Sequence, residues 1–299
     1  MMKCRKHLFI ADLHVGSKFA LWPQRFSIPD FGEIPLGINQ KILWLYWSDL
    51  IKTVKKVGRL DSLVLVGDLI DGKGSKAEGV EQIVTDPLTQ ARAAVELLKP
   101  LREHADKLFL VRGTKYHDQI NGRAVEYIGE ILGAEKFEDG TYSAWELVLD
   151  LGDDHYAHVS HHGGNPYVYR ATVAEREGFF MSLSADKFDL PEGRSWSLIV
   201  RAHTHFFIHI EHPTLHIVYL PAWKLKDPYM IRKGPGRMIP HIGAVLVLVR
   251  SESGREIYER DPLKICKLTY KHPRPSRRTA YKAYSQGSGN EGESAENQP

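Results

Sequence analysis

His7-Leu8-Phe9-Ile10-Ala11-Asp12-Leu13-His14-Val15-Gly16-Ser17 is a short apolar run that ends abruptly in a polar loop, and its reading decides the fold. Leu8, Phe9 and Ile10 are consecutive and apolar, which marks a buried strand feeding a loop. The arrangement recurs. Ser62 to Val66 runs into Gly67-Asp68-Leu69-Ile70-Asp71-Gly72, and Lys107 to Arg112 runs into Gly113-Thr114-Lys115-Tyr116-His117-Asp118. Helices separate these strands. The first is expected from about Asn39 to Val57, with Leu43, Tyr46, Trp47, Leu50 and Val54 on one stripe and Gly58 as its stop. Asp86-Pro87 opens a second, because Asp suits the N-cap and Pro the first helical position; it is expected to run to about Lys99, before Pro100 disturbs it. A third spans Arg123 to Leu132 and is closed by Gly133.

Beyond residue 140 the pattern changes to strands, expected at 143–151, 155–161, 197–202, 206–211, 215–220 and 240–249, with one helical interval at about 167–184. Alternating strand and helix followed by strands predicts a mixed sheet faced by a second sheet, with helices outside both. Residues 1–269 are read as one domain. From Tyr270 onward Pro, Ser, Gly, Lys and Arg, then Glu and Asn, replace the aliphatic residues, so 270–299 is expected to be a disordered tail.

Composition narrows the class. With 40 basic and 37 acidic residues the two signs nearly cancel, which neither demands nor excludes a nucleic-acid partner. Cys4 and Cys266 lack CxxC spacing, which argues against a disulfide framework and a thiolate zinc site. The apolar run Leu8 to Ala11 is too short for a signal sequence or membrane span, so the expected location is the cytoplasm.

The fifteen histidines carry the chemistry, because five of them fall in two tight groups: His158, His161 and His162, then His203 and His205. Ligands in open α/β folds bind beyond the carboxyl ends of strands. Five such ends offer Asp12 and His14, Asp68 and Asp71, His117 and Asp118, His161 and His162, and His203 and His205. Carboxylates mixed with imidazoles, without thiolates, suit Mn²⁺, Fe or Zn²⁺ better than Ca²⁺. In an extended segment residues i and i+2 project to one side, so Asp12 with His14, and His203 with His205, are each expected to serve one site. Asp68, between Gly67 and Gly72, is the natural bridge between two metals about 3.5–4 Å apart. Any one Asp-x-His alone is more often an incidental loop pair; the joint pattern is what counts.

Asp-Leu-His, Gly-Asp-Leu-Ile-Asp-Gly, Gly-Thr-Lys-Tyr-His-Asp, His-His-Gly-Gly and Ala-His-Thr-His, in this order over about residues 7–206, resemble the five signatures of the calcineurin-like metallophosphoesterase superfamily. The resemblance implies a four-layer αββα sandwich and two divalent metal ions, Mn²⁺ in the first instance, with Fe or Zn²⁺ as alternatives. It assigns Asp12, His14, Asp68 and His205 to one metal. Asp68, His203 and a histidine of the fourth motif go to the other, His162 being favoured because it directly precedes glycine and His161 staying open. It also implies that Asp71 pairs with His117, which assists the leaving oxygen or the transition-state charge. The third motif departs from the usual Gly-Asn-His: Thr114 stands where the asparagine ligand is found, so Thr114 itself, Asn121 or a water fills that place.

The activity so implied is hydrolysis of a phosphate ester by a hydroxide activated between the metals. Arg112 and Lys115 are the expected substrate-binding cations. A phosphodiesterase, including a nuclease acting on nucleic acid, is the first reading. A phosphomonoesterase for a nucleotide, sugar phosphate or phosphoprotein is the alternative, and a non-catalytic scaffold of the same fold is the third. The bland readings are a core or supporting role for His158, and solvated strand faces for His209, His212 and His216. Trp22, Phe26 and Phe31 are left between stacking on a substrate and covering a sheet edge. The basic stretch Arg274, Arg277, Arg278 and Lys282 is read as a solvated charged segment.

Overall fold

The computed structural model describes residues 4–28, 31–118, 122–164, 169–233, 239–250, 263–271 and 273. Its elements in chain order are β1 (Cys4–Ala11), β2 (Ser27–Ile28), β3 (Gly32–Glu33), α1 (Ile38–Val57), β4 (Leu60–Val66), α2 (Pro87–Arg102) and β5 (Ala105–Val111). Next come α3 (Arg123–Leu132), β6 (Ser143–Ala144), β7 (Glu146–Gly152), β8 (His155–Ser160) and α4 (Arg170–Leu183). The chain closes with β9 (Trp196–Arg201), β10 (Ile208–Glu211), β11 (His216–Tyr219), α5 (Pro228–Lys233), β12 (Ile242–Arg250) and β13 (Leu263–Tyr270).

Two mixed sheets result. The first has the order β13-β12-β1-β4-β5-β6 and the second β10-β11-β9-β8-β7. Strands β1, β4, β5 and β6 run parallel, β12 pairs antiparallel with β1, and β13 pairs antiparallel with β12 at the sheet edge. The side-chain period of two then sorts the core into layers. Leu8 and Ile10 face α1, α2 and α3, whose Leu43, Trp47, Leu98 and Val125 pack there. Phe9 and Ala11, on the other face, meet Leu147, Val159, Leu198 and Val200 of the second sheet. The outer face of the second sheet places Ile199, Ile217 and Tyr219 against Ala174 of α4. The layers are therefore α, β, β, α, the sandwich that the motifs imply.

Local chemistry explains the helices. In α1 the buried Leu43, Trp47, Leu50 and Val54 recur at helical spacing, and Trp47 meets Trp223 edge-on at 4.7 Å. Asp86 caps α2 by accepting from the Thr89 N–H at 2.8 Å, with Pro87 at the first position. The helix continues through Pro100 to Arg102, beyond the expected end at Lys99.

Several expectations need correction. Strand β13 was not expected, because Lys264 and Lys267 interrupt its apolar residues; lysines on an edge strand discourage pairing with another chain. Tyr270 belongs to this strand rather than to a tail, stacking on Tyr46 at 4.8 Å and donating to Asp49 at 3.0 Å. The remainder of the expected tail, with Arg274, Arg277, Arg278 and Lys282, lies outside the described residues, as does Asn121. Helix α4 is described from Arg170 on. Trp22 is core, buried and edge-on to Phe26 at 5.4 Å, whereas Phe31 is exposed. His216 is buried, since β11 is an interior strand, and His209 is half-buried rather than solvated. No helix among the described residues is long and apolar enough to cross a membrane.

Candidate metal centre

Because β1, β4 and β5 are parallel neighbours, their carboxyl ends lie along one edge of the first sheet; β8 and β9 do the same in the second. The loops stay in register past the strands. Asp12 N–H donates to the Gly67 carbonyl at 3.1 Å and His14 N–H to the Asp68 carbonyl at 3.0 Å. Ala202 N–H reaches the His161 carbonyl at 3.1 Å, and Trp223 N–H the Asp12 carbonyl at 2.9 Å.

The i, i+2 pairs do not arise from the extended backbone that the sequence led one to expect. Asp12, His14, Asp68, His203 and His205 all have positive φ, at 51°, 46°, 50°, 67° and 60°. Left-handed backbone in a residue with a side chain costs about 1–3 kcal/mol, and it clusters where function requires it. Here tight loops, not strand pleat, turn each pair inward.

Asp12, His14 and His205 form one group, each with a ligand atom within 4.8 Å of the others. Asp12 Oδ1 lies 3.3 Å from His205 Nε2 and 3.7 Å from His14 Nε2. His14 Nε2 and His205 Nε2 are 3.1 Å apart. Asp68, His161 and His203 form a second group, with His161 Nε2 at 3.3 Å and His203 Nδ1 at 3.9 Å from Asp68 Oδ2. The two groups touch, since His161 Nε2 is 4.0 Å from Asp12 Oδ1. Asp68 also groups with His14 and His117.

The residues present fit a cation. Asp12 Oδ1 and His161 Nε2 are buried and have no hydrogen-bond partner, although such atoms are costly to bury unpaired. Burial opposes ionisation of Asp12 and Asp68, but His205 and His161 beside the first, and His161 and His117 beside the second, hold both carboxyls well below the usual range. Burial likewise opposes charge on His161, yet Asp68 and Asp12 push it up to about 10. The two atoms without a hydrogen bond lie 4.0 Å apart, between the two groups.

Of the two fourth-motif histidines, His161 is fully buried and held through Nδ1 by the Val66 carbonyl at 2.9 Å, while His162 is exposed, its ring 5.3 Å from that of His203. The geometry turns His161, not the favoured His162, toward Asp68. Thr114 does not face away from the site: its Oγ1 donates to Asp68 Oδ1 at 2.9 Å and its N–H at 2.6 Å. The Asp71 carboxylate is 3.7 Å from His117 Nδ1, whereas the Asp71 carbonyl accepts from that nitrogen at 2.8 Å. The pairing implied for Asp71 and His117 therefore runs through the main chain. Burial pushes His117 down to about 4. Arg112 turns to Ser143 at 2.8 Å and Glu126 at 3.4 Å, so its guanidinium is already engaged; Lys115 is exposed.

Two supports, Lys224 and Gln82, escaped the motifs, and Asp118, the last residue of the third motif, is a support rather than a donor. Lys224 is buried, and its Nζ lies 3.1 Å from both Asp71 Oδ1 and Asp227 Oδ2. Its signal was a lone lysine in the apolar stretch Tyr219 to Leu225. Gln82 donates to Asp71 Oδ2 at 2.6 Å. Asp118 accepts from the N–H groups of Gly113, Asp68 and Leu69 at 2.6, 3.1 and 3.2 Å, tying the second and third loops together. Burial and the neighbouring Asp68 push Asp118 up to about 7.

No protein-family model matches the sequence, and no curated protein matches it. Similar solved structures include Vps29 of Entamoeba histolytica complexed with Zn²⁺, at 11% identity over 88% of this chain and 98% of that one, with a TM-score of 0.40. An archaeal phosphodiesterase is 10% identical over 87% and 98%, TM-score 0.39. A predicted phosphoesterase of Streptococcus pneumoniae is 9% identical over 83% and 85%, TM-score 0.35. The α, β, β, α order of the layers agrees with the sandwich expected from the motifs.

Proposed function

We propose that the chain is a metal-dependent phosphodiesterase of the calcineurin-like metallophosphoesterase superfamily. The observation that carries this reading is the pair of buried, unpartnered ligand atoms, Asp12 Oδ1 and His161 Nε2, facing each other at 4.0 Å where five strand ends meet. Asp12, His14 and His205 would hold one divalent ion and Asp68, His161 and His203 a second, with Asp68 close to both groups. Mn²⁺ suits this donor set, and Fe or Zn²⁺ are alternatives. Two such ions, if bound there, would supply polarisation of phosphate oxygens and a water of lowered pKa.

The chain's own residues supply the rest. Asp71 orients His14, and Thr114 orients Asp68, so that ligand atoms keep one direction. His117 donates from Nδ1 to the Asp71 carbonyl, which leaves Nε2 as the ring nitrogen available to a group bound in the site. A singly charged diester fits better than a dianionic monoester, because Arg112 is engaged by Glu126 and Lys224 by Asp71 and Asp227.

The test is turnover of bis-p-nitrophenyl phosphate, p-nitrophenyl phosphate and single-stranded DNA with added Mn²⁺, alongside metal analysis of the same sample. The expected result is bound metal and faster hydrolysis of the diester. Preference for the monoester moves the protein to the phosphatase reading, and DNA cleavage adds nuclease activity. Bound metal without turnover of any substrate favours the scaffold reading, for which the altered third motif with Thr114 is the one feature.

A further inference from the structure

A second set of metal-type donors stands on the edge hairpin of the second sheet. Strands β10 and β11 pair His209 with Val218 and Glu211 with His216. Residues i and i+2 of a strand share a face, and directly opposed residues share it too. His209, Glu211 and His216 therefore occupy one face of the ribbon. It is the face of Val218, and of Leu198 opposite His216 on β9, both of which belong to the core between the sheets. Two imidazoles and a carboxylate here stand in line with residues that are otherwise aliphatic.

Their spacing is that of a ligand set. His209 Nε2 and His216 Nδ1 are 2.9 Å apart, their rings nearly parallel at 18°, and each of the three residues places a ligand atom within 4.8 Å of the other two. Exposure is graded along the set: His216 is buried, His209 half-buried and Glu211 exposed, which leaves an approach from solvent. None of these residues belongs to the centre described above, which draws on loops after strands rather than on a strand face.

We propose that His209, Glu211 and His216 form a separate mononuclear cation site that takes Zn²⁺. Two imidazoles and one carboxylate are a borderline donor set without thiolate, which suits Zn²⁺ with a fourth position open, whereas Ca²⁺ and Mg²⁺ ask for oxygen ligands. A proton shared between the two imidazoles accounts for their contact but assigns Glu211 no part; a cation uses all three. Bound there, the ion ties edge strand β10 to its interior neighbour β11.

The experiment counts Zn²⁺ in the full-length chain. Metal-stripped protein is titrated with Zn²⁺ near neutral pH against a chromogenic chelator, for wild type, Glu211→Gln, His209→Gln and His212→Gln. Glu211→Gln and His209→Gln are each expected to bind about one equivalent fewer than wild type. His212→Gln, which alters the neighbouring imidazole 3.8 Å from Glu175, is expected to bind as much as wild type. Glu211 is exposed, so its variant keeps the apo melting temperature, and Zn²⁺ raises the midpoint of wild type more than that of this variant. Equal counts in wild type and both site variants overturn the proposal, and so does an equal loss in His212→Gln, the mark of adventitious binding by surface histidines. Failure of the main-centre reading looks different: wild type then binds about one equivalent and the site variants none.

Discussion

Asp71 Oδ1 lies 3.0 Å from His14 Nδ1, and this contact places the proton of His14 on Nδ1 and turns Nε2 toward Asp12 and His205. A carboxylate behind a ligating imidazole fixes tautomer and ring orientation, and Lys224 and Gln82 in turn hold that carboxylate. Asp71 is kept ionised against its burial by the His14 hydrogen bond and the Lys224 charge.

Asp71→Asn removes the charged acceptor but keeps the shape. Metal affinity should fall roughly 10–100-fold, the usual cost of losing such a support. The concentration of Mn²⁺ that gives half-maximal hydrolysis measures it, and an unchanged value would show that His14 is oriented by other means. Asp68→Asn, by contrast, should nearly abolish turnover at any metal concentration, because Asp68 groups with His161 and His203 and also with His14 and His117.

Thr114 engages Asp68 Oδ1 through both its hydroxyl and its N–H. Thr114→Asn restores the residue type of the usual third motif and adds a carbonyl oxygen at that point. Roughly tenfold tighter binding of the weaker of the two ions is expected. Isothermal titration with Mn²⁺ reads the two affinities separately, and a weaker second ion would mean that the Thr114 hydroxyl is itself the better group.

Gly67 shows how little room the centre leaves. It has φ +68°, and a Cβ on it would stand 2.3 Å from His161 Nδ1 and 2.6 Å from Gly113 Cα. Gly67→Ala should therefore displace His161, lose metal and cost about 1–3 kcal/mol of stability. Metal content and urea unfolding of the variant check both parts; full metal content would show that His161 can move without consequence.

His158 makes stability depend on pH away from the centre. Burial first, and then the Arg201 guanidinium 3.0 Å from Nδ1, push this imidazole down to about 4. A histidine with a depressed folded value contributes stability that is complete above its unfolded pKa of about 6.5 and is lost as pH falls toward the folded value. The loss by pH 4 should be on the order of 2–3 kcal/mol. His158→Gln should be less stable than wild type near pH 7 but lose less between pH 6.5 and 4, as read by urea unfolding at both ends of that window. Parallel losses would remove His158 as the cause.

Much of this was legible in the chain. Consecutive apolar residues such as Leu8 to Ala11 can only be buried, and a polar loop directly after such a strand must lie at its carboxyl end; hence the layers, and the place of Asp12, Asp68 and His203 beyond strand ends, could be read from local pattern. Asp86-Pro87 and Gly133 similarly mark helix ends through backbone rules that act over a few residues. Strand β13 was not legible, because its lysines answer to its place at a sheet edge, and an edge exists only once the sheet is assembled.

The choice between His161 and His162 belongs to the tertiary structure, since both can follow β8 and only packing against Val66 and Gly67 selects the ring that turns inward. Lys224 and Gln82 likewise acquire their meaning from distance in space, lying 153 and 11 residues from Asp71 along the chain yet both on its carboxylate. Candidate donor types are written in local sequence because each directly follows an apolar strand. Their orientation and support are not, because hydrogen bonds and burial arise between segments that only folding brings together.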